Sequence, residues 1–156
     1  MNSIILIFYL LKLYVIIYVN LFNKYKKGLR LSLKIGIDLG GSHIGIGVLD
    51  DNNNIITKIE KDIVKTHDIK NKIMDYIDEN IKKIINKYEI ELIGIAVPGT
   101  PKKLVAENVF NLGIEKMDFS KIANKYNISL KIQNDSKAAG LAEKQCGSLK
   151  NYKDAV

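Results

Sequence analysis

The stretch KIGIDLGGSHIGIGVLDDNNN, Lys34–Asn54, decides how the rest of the chain is read. Two apolar runs flank an acid, two adjacent glycines and a hydroxyl: Asp38, Gly40, Gly41 and Ser42. Lys34–Leu39 reads as a buried strand and His43–Leu49 as a second, with Gly45 and Gly47 leaving one face bare. Asp50–Asn54 is turn chemistry, because Asx side chains bond their own backbone and tolerate left-handed conformations. Ile55–Ile63 follows as a third strand. Short strands joined by tight turns predict an antiparallel meander.

The bend between the first two strands has two readings. Gly40 and Gly41 can supply positive φ for a hairpin. Alternatively, lacking Cβ, they let backbone amides approach a polyphosphate, with Ser42 as a further donor and Asp38 facing Mg²⁺ directly or through water. The spacing is neither that of a P-loop nor that of a dinucleotide-binding G-x-G-x-x-G turn.

Downstream, His67 to Tyr88 places Ile69, Ile73, Ile77, Ile81, Ile84 and Ile85 at three- and four-residue steps, which predicts an amphipathic helix that Thr66 or Asp68 could cap. Leu92–Val97 is a short apolar strand stopped by Pro98–Gly99, and Leu104–Asn108 reads as another. Phe119–Tyr126 is a short helix with Asp118 as its cap, Ser129–Gln133 a strand, and Asp135–Gln145 a helix ending near Gly147. Asn151–Val156 looks like the approach to one more strand. Strands alternating with helices after a meander predict class α/β, a mixed sheet with flanking helices.

Three further stretches hold polar residues in suggestive places. AVPGT, Ala96–Thr100, ends a strand in a turn that either borders a ligand or simply reverses the chain. NVFNLGI, Asn108–Ile114, sets the Asn111 amide in apolar company, able to bind a hydroxyl or a backbone group. In QNDSKAAGLAE, Gln133–Glu143, Asn134 and Asp135 sit where a strand becomes a helix. The positive end of a helix favours an anion there, and a carboxylate can accept the proton of a hydroxyl as its oxygen attacks phosphorus. A plain N-cap is the simpler reading of the same pair. Ala138, Ala139 and Ala142 give that helix a small-residue face for close packing.

Composition narrows the classes. The chain has 156 residues, 47% hydrophobic and 26% charged, which suits one globular domain. A single cysteine, Cys146, excludes an internal disulfide, and with only His43 and His67 to join it no zinc site is expected from this chain. The net charge of +7 is concentrated before the meander: residues 1–34 hold six basic residues and no acid, whereas the remainder is nearly neutral, with 18 basic and 17 acidic residues. A nucleic-acid-binding face, which needs clustered Lys and Arg in the folded part, is not expected.

Taken together and in order, IDLGGSHIGIGVLDDNNNII, IGIAVPGT, NVFNLGI and IQNDSKAAGLAE resemble the N-terminal half of the ROK family of sugar kinases and related repressors, from about Lys34 to Val156. The resemblance implies an actin-like, ribonuclease-H-like lobe, with ATP and sugar bound between it and a second lobe in the cytoplasm. It implies that Asp38, Gly40, Gly41 and Ser42 form the first phosphate motif, with Mg²⁺ held by Asp38 through water. It makes Asp135 the base that deprotonates a hexose hydroxyl. Asn134 and Asn111 would hydrogen-bond sugar hydroxyls, and Gly99 would line the sugar pocket. Lys137, Gly140 and the acid-free Thr100–Lys103 depart from the family pattern in ways that bear on sugar identity rather than fold. The family's second phosphate motif, adenosine site and cysteine-rich zinc site belong to a C-terminal half with no counterpart in this sequence. The expectation is a truncated kinase lobe, inactive alone, partnered by a missing C-terminal lobe or by a second copy. A non-catalytic remnant or split half is the alternative. A repressor would need a helix-turn-helix ahead of the domain, and residues 1–33 are too short and too apolar for one.

Residues 1–33 form their own segment. Ile4–Phe22 is an apolar run of membrane-spanning length, broken by Lys12 and Asn20, with basic residues from Lys24 to Arg30 on its C-terminal side. It reads either as an anchor holding the domain at the cytoplasmic face or as the translation of an AT-rich leader, with true initiation near Leu31 or Leu33. A secretory signal is a poor fit, since no basic residue precedes the run and no small-residue cleavage site follows it.

Overall fold

A computed structural model describes residues 32–52 and 54–146. The apolar run Ile4–Phe22, the helix stop at Gly147 and the strand expected over Asn151–Val156 lie outside the described residues. The meander forms as expected: β1 (Leu33–Leu39), β2 (His43–Leu49) and β3 (Ile55–Asp62) pair antiparallel. β4 (Ile90–Val97) adds parallel to the other edge of β1, and β8 (Ser129–Asn134) adds parallel to β4. The resulting five-stranded mixed sheet has the order β3-β2-β1-β4-β8.

Its two faces differ because side chains alternate along each strand. On one face Ile35, Ile37 and Leu39 join Ile44, Ile46 and Val48 of β2 and Ile93, Ile95 and Val97 of β4. Helix α1 (Ile69–Ile85) belongs to the same core and contributes Ile73, Ile77 and Ile81. Ile77 and Ile81 are fully buried, each worth roughly 1.5–3 kcal/mol over an exposed side chain. On the other face Gly47, Gly36 and Gly94 stand abreast in register, so three neighbouring strands offer bare backbone there. Helix α3 (Asp135–Cys146) is joined to that face by Ala138, which packs on Ala96. Lys34 points to the same face with its stem buried, and its Nζ reaches Asp51 Oδ1 at 2.9 Å.

Several expectations are corrected. α1 starts at Ile69 rather than His67 and ends at Ile85. No side chain caps it: Asp68 Oδ1 accepts instead from Asn71 Nδ2 (2.6 Å), and Thr66 offers only its carbonyl, to the Ile69 amide. The segment after β4 is more ordered than the sequence suggested. β5 (Thr100–Lys102), β6 (Val105–Val109) and β7 (Ile114–Asp118) form a second antiparallel sheet, with a 3-10 turn, Phe110–Leu112, between β6 and β7. Only β6 was anticipated. Helix α2 (Ser120–Tyr126) follows, one residue later than expected; its N-cap residue is Phe119 and no side chain caps it, while Asp118, the residue before Phe119, accepts the Ser120 amide on Oδ1 at 2.8 Å. Among the described residues no helix is long and apolar enough to cross a membrane.

A candidate active site on the carboxyl edge of the sheet

β1, β4 and β8 run in the same direction, so their C-terminal ends share one edge, where open α/β sheets bind their ligands. Asp38 is in register with Ala96, and Ala96 with Gln133. At about 4.8 Å per strand, the Asp38 and Gln133 backbones lie roughly 10 Å apart. Asp38 is 2% exposed, and its cross-strand neighbours are Gly45 and Ala96.

The bend after β1 is not a positive-φ hairpin turn. Gly113 is the one glycine with positive φ among the described residues. Gly40 and Gly41 are instead favoured by close approach. A Cβ on Gly40 would lie 3.2 Å from the His43 carbonyl oxygen, to which the Gly40 amide already donates at 2.9 Å. A Cβ on Gly41 would lie 3.2 Å from the Asn111 Cβ. With the Gly40 amide committed to closing the bend, a phosphate at this loop would draw on the amides of Gly41 and Ser42 and on the exposed Ser42 hydroxyl, whose oxygen is 3.4 Å from His43 Nδ1.

The contact between Gly41 and Asn111 brings together two regions some seventy residues apart in sequence. Asn111 sits exposed in the 3-10 turn, which Gly113 ends in left-handed conformation (φ 67°). β6, which leads into that turn, lies against Gly99. A Cβ on Gly99 would be 2.6 Å from the Glu107 carbonyl oxygen and 3.2 Å from Val109 Cγ2. The Gly99 carbonyl in turn accepts from Asn134 Nδ2 at 3.0 Å. Asn134 also caps α3, its Oδ1 accepting the Lys137 amide at 3.2 Å, so the simpler reading of that residue is borne out. The next residue, Asp135, is half-buried. Its Oδ1 accepts the Ser136 amide (2.7 Å), while its Oδ2 makes no hydrogen bond with a described residue.

Gly41 is thus set against Asn111, and Gly99 against β6 and Asn134, so that Ser42, Asn111, Gly99, Asn134 and Asp135 are gathered near the carboxyl edge where Asp38 ends β1. Two participants were not anticipated. Gln133 Oε1 accepts the Asn134 amide (2.9 Å) and so fixes the strand end from which Asp135 projects. Phe110, 75% exposed, stands beside Asn111; an aromatic residue directly before that amide was the available signal. Among the described residues no group of three or more His, Cys, Asp or Glu side chains is assembled. A hard cation held by the Asp38 oxygen would therefore be completed by phosphate and water, which suits Mg²⁺.

Comparison with known proteins agrees with this architecture. The model of the ROK family matches residues 34–156. No curated protein matches the chain. Among solved structures, the ROK family glucokinase from Streptomyces griseus in complex with glucose and AMPPNP superposes with a TM-score of 0.68 at 23% identity, over 79% of this chain and 39% of that one. The inorganic polyphosphate/ATP-glucomannokinase from Arthrobacter sp. strain KM gives 0.65 at 20% identity, over 78% and 51%. A ROK family transcriptional regulator, homologous to the E. coli MLC protein, gives 0.56 at 18%, over 73% and 30%. The chain therefore spans about half or less of the length of these neighbours, and what it shares with them is the actin-like N-terminal lobe fold.

Proposed function

Because this chain belongs to the ROK family, we propose that it supplies the first phosphate loop and the catalytic carboxylate of an ATP-dependent hexose kinase. The observation that carries the reading is the set of contacts that brings Gly41 to Asn111 and Gly99 to Asn134, next to Asp135, near the carboxyl edge of the sheet. A nucleotide phosphate at one end and a sugar hydroxyl at the other would share that edge.

In the proposed reaction Asp135 accepts the hydroxyl proton on its open Oδ2 as the sugar oxygen attacks the terminal phosphorus. The new P–O bond forms on the sugar, the bond to the bridging oxygen breaks, and the electron pair leaves with ADP. Ser136, by holding Oδ1, fixes the carboxylate's orientation. Asn111 and the remaining hydrogen-bonding capacity of Asn134 would bind hydroxyls of the sugar. Gly41 and Ser42 would hold phosphate, and Asp38 would hold Mg²⁺, whose part is to offset charge on the phosphate oxygens. Phosphoryl transfer depends on positioning and charge stabilisation from all sides. Turnover therefore calls for further groups of the kind that the longer neighbours carry in the part this chain does not span, and the domain of residues 34–156 is proposed to act as one lobe in the cytoplasm.

Calorimetric titration of the full chain with glucose tests the reading. Measurable binding is expected, and Asn111→Ala should weaken it about tenfold or more. A coupled assay should show hexose-dependent ADP formation only when a polypeptide carrying the rest of the kinase is added. In that mixture Asp135→Asn should lower the rate by roughly 10²–10⁴. Robust turnover by the chain alone would refute the half-enzyme reading; unchanged turnover with Asp135→Asn would remove the carboxylate from the chemistry.

A further inference from the structure

We propose that the groove between the end of β3 and the first turns of α1 binds a small amphipathic anion, an apolar body bearing a single negatively charged head. None of the candidate site residues described above lines this groove, which has a volume of about 310 Å³, at the lower end of the range of ligand sites. Its walls are Ile44, Ile63, Ile69, Ile73 and Tyr76, and Val64, 75% exposed, forms an apolar lip.

The charge at the rim sets the ligand's sign. Lys61 and Lys72 face a single acid, Asp62, and none of the three is in an ion pair with a described residue. The Lys61 ammonium is held over the Tyr76 ring, 4.8 Å from its centroid, so one cation is already placed at the apolar wall. A neutral ligand leaves that arrangement unused, a cation is repelled by it, and the excess of one positive charge suits a monoanion. A ring or branched chain of about a dozen heavy atoms fills the apolar part while its head meets the lysines.

The groove also has a direct link to the bend after β1. The Ile63 amide donates to the Ser42 carbonyl at 2.8 Å. Ile63, part of the groove wall, is thus the donor of the hydrogen bond that holds Ser42, and Ile44, also in the wall, follows Ser42 by two residues. An occupant pressing on both residues is felt at Ser42, whatever that loop binds.

The test uses 2-naphthoate as the anionic probe and 2-naphthamide as its neutral counterpart, titrated into the ¹⁵N-labelled full chain. The expected result is tighter binding of the naphthoate by about tenfold, with the largest amide shifts at Ile63, Val64 and Ser42. The double variant Lys61→Met/Lys72→Met, which removes both charges and keeps side-chain stems of similar length, should bring naphthoate affinity down to that of the amide in the same variant. Equal binding of the two probes, unchanged naphthoate affinity in the double variant, or shifts confined to other parts of the chain would overturn the proposal. Glucose binding, measured in parallel, does not enter this result, so the groove and the kinase reading fail or stand separately.

Discussion

Replacing Gly99 by alanine pushes a methyl group to 2.6 Å from the Glu107 carbonyl oxygen, well inside van der Waals contact. The oxygen has little room to retreat, because Glu107 is paired with Thr100 on one side and Lys116 on the other. The strain must be taken up by the chain around the Pro98–Gly99 bend, with a cost of about 1–3 kcal/mol. The same movement stretches the bond from Asn134 Nδ2 to the Gly99 carbonyl. For a domain of this size each kcal/mol lowers Tm by about 3–5 °C, so Gly99→Ala should melt roughly 3–15 °C below the parent. Gly140→Ala is the internal control. Gly140 lies inside α3 with no atom within 4 Å of an added Cβ, and alanine there should raise stability by about 1 kcal/mol. Thermal and urea melts of both variants, with the Asn134 side-chain NH₂ resonances followed by NMR, read the effect. If Gly99→Ala melts with the parent and the Asn134 resonances stay in place, the close packing of this bend on β6 is wrong.

Three more outcomes follow from individual contacts. Asn134→Ala removes both the α3 cap and the bond to Gly99, and should cost about 1–3 kcal/mol in urea unfolding, whereas Asn134→Asp, which keeps an acceptor for the Lys137 amide, should recover part of that loss. Asp51→Ala leaves the buried Lys34 stem with an unpaired ammonium, and a loss of about 1–3 kcal/mol is expected, largely restored in the double variant Lys34→Met/Asp51→Ala. Partial burial works against the charge of Asp78, but hydrogen bonds from Lys125 and Tyr126 outweigh it and hold the carboxyl below its ordinary range. A carboxyl lowered in the folded state adds stability that is complete above about pH 4–5 and is lost as pH falls through the folded value. Acid titration of Asp78→Asn should therefore show a shallower loss of stability below about pH 4 than the parent; identical profiles would contradict the pairing.

The meander was legible because it is local. Alternation in Lys34–Leu49 and the Asx turn, in which Asp50 accepts both the amide and the side chain of Asn54, are written within a few residues of each other. The isoleucine spacing of α1 was equally plain, and Ile69, Ile73, Ile77, Ile81 and Ile84 are all buried. The second sheet was obscured by its own residues. β7 buries Ile114 and Met117, a three-residue step that suggests a helix, and β5 contains Pro101, which is tolerated only because that strand is at an edge. At the site, the identities of Asp38, Asn111 and Asp135 could be read from motifs, but the reason for the glycines could not. Gly41 meets Asn111 and Gly99 meets Glu107 through the fold rather than along the chain; the sequence offered positive φ or a phosphate cradle for Gly40 and Gly41, and the structure removes the first of these.

The double commitment of Asn134 limits what mutagenesis can say about it. Its amide is both the clasp that keeps the Pro98–Gly99 bend against β8 and the plug for the first turn of α3. A screen scored by loss of function would flag position 134 whether or not it ever touches a sugar, since damaging the scaffold and damaging recognition give the same phenotype. Asn111 is free of that ambiguity: its side chain is exposed and makes no hydrogen bond with a described residue, which makes it the cleaner position for asking what this edge recognises.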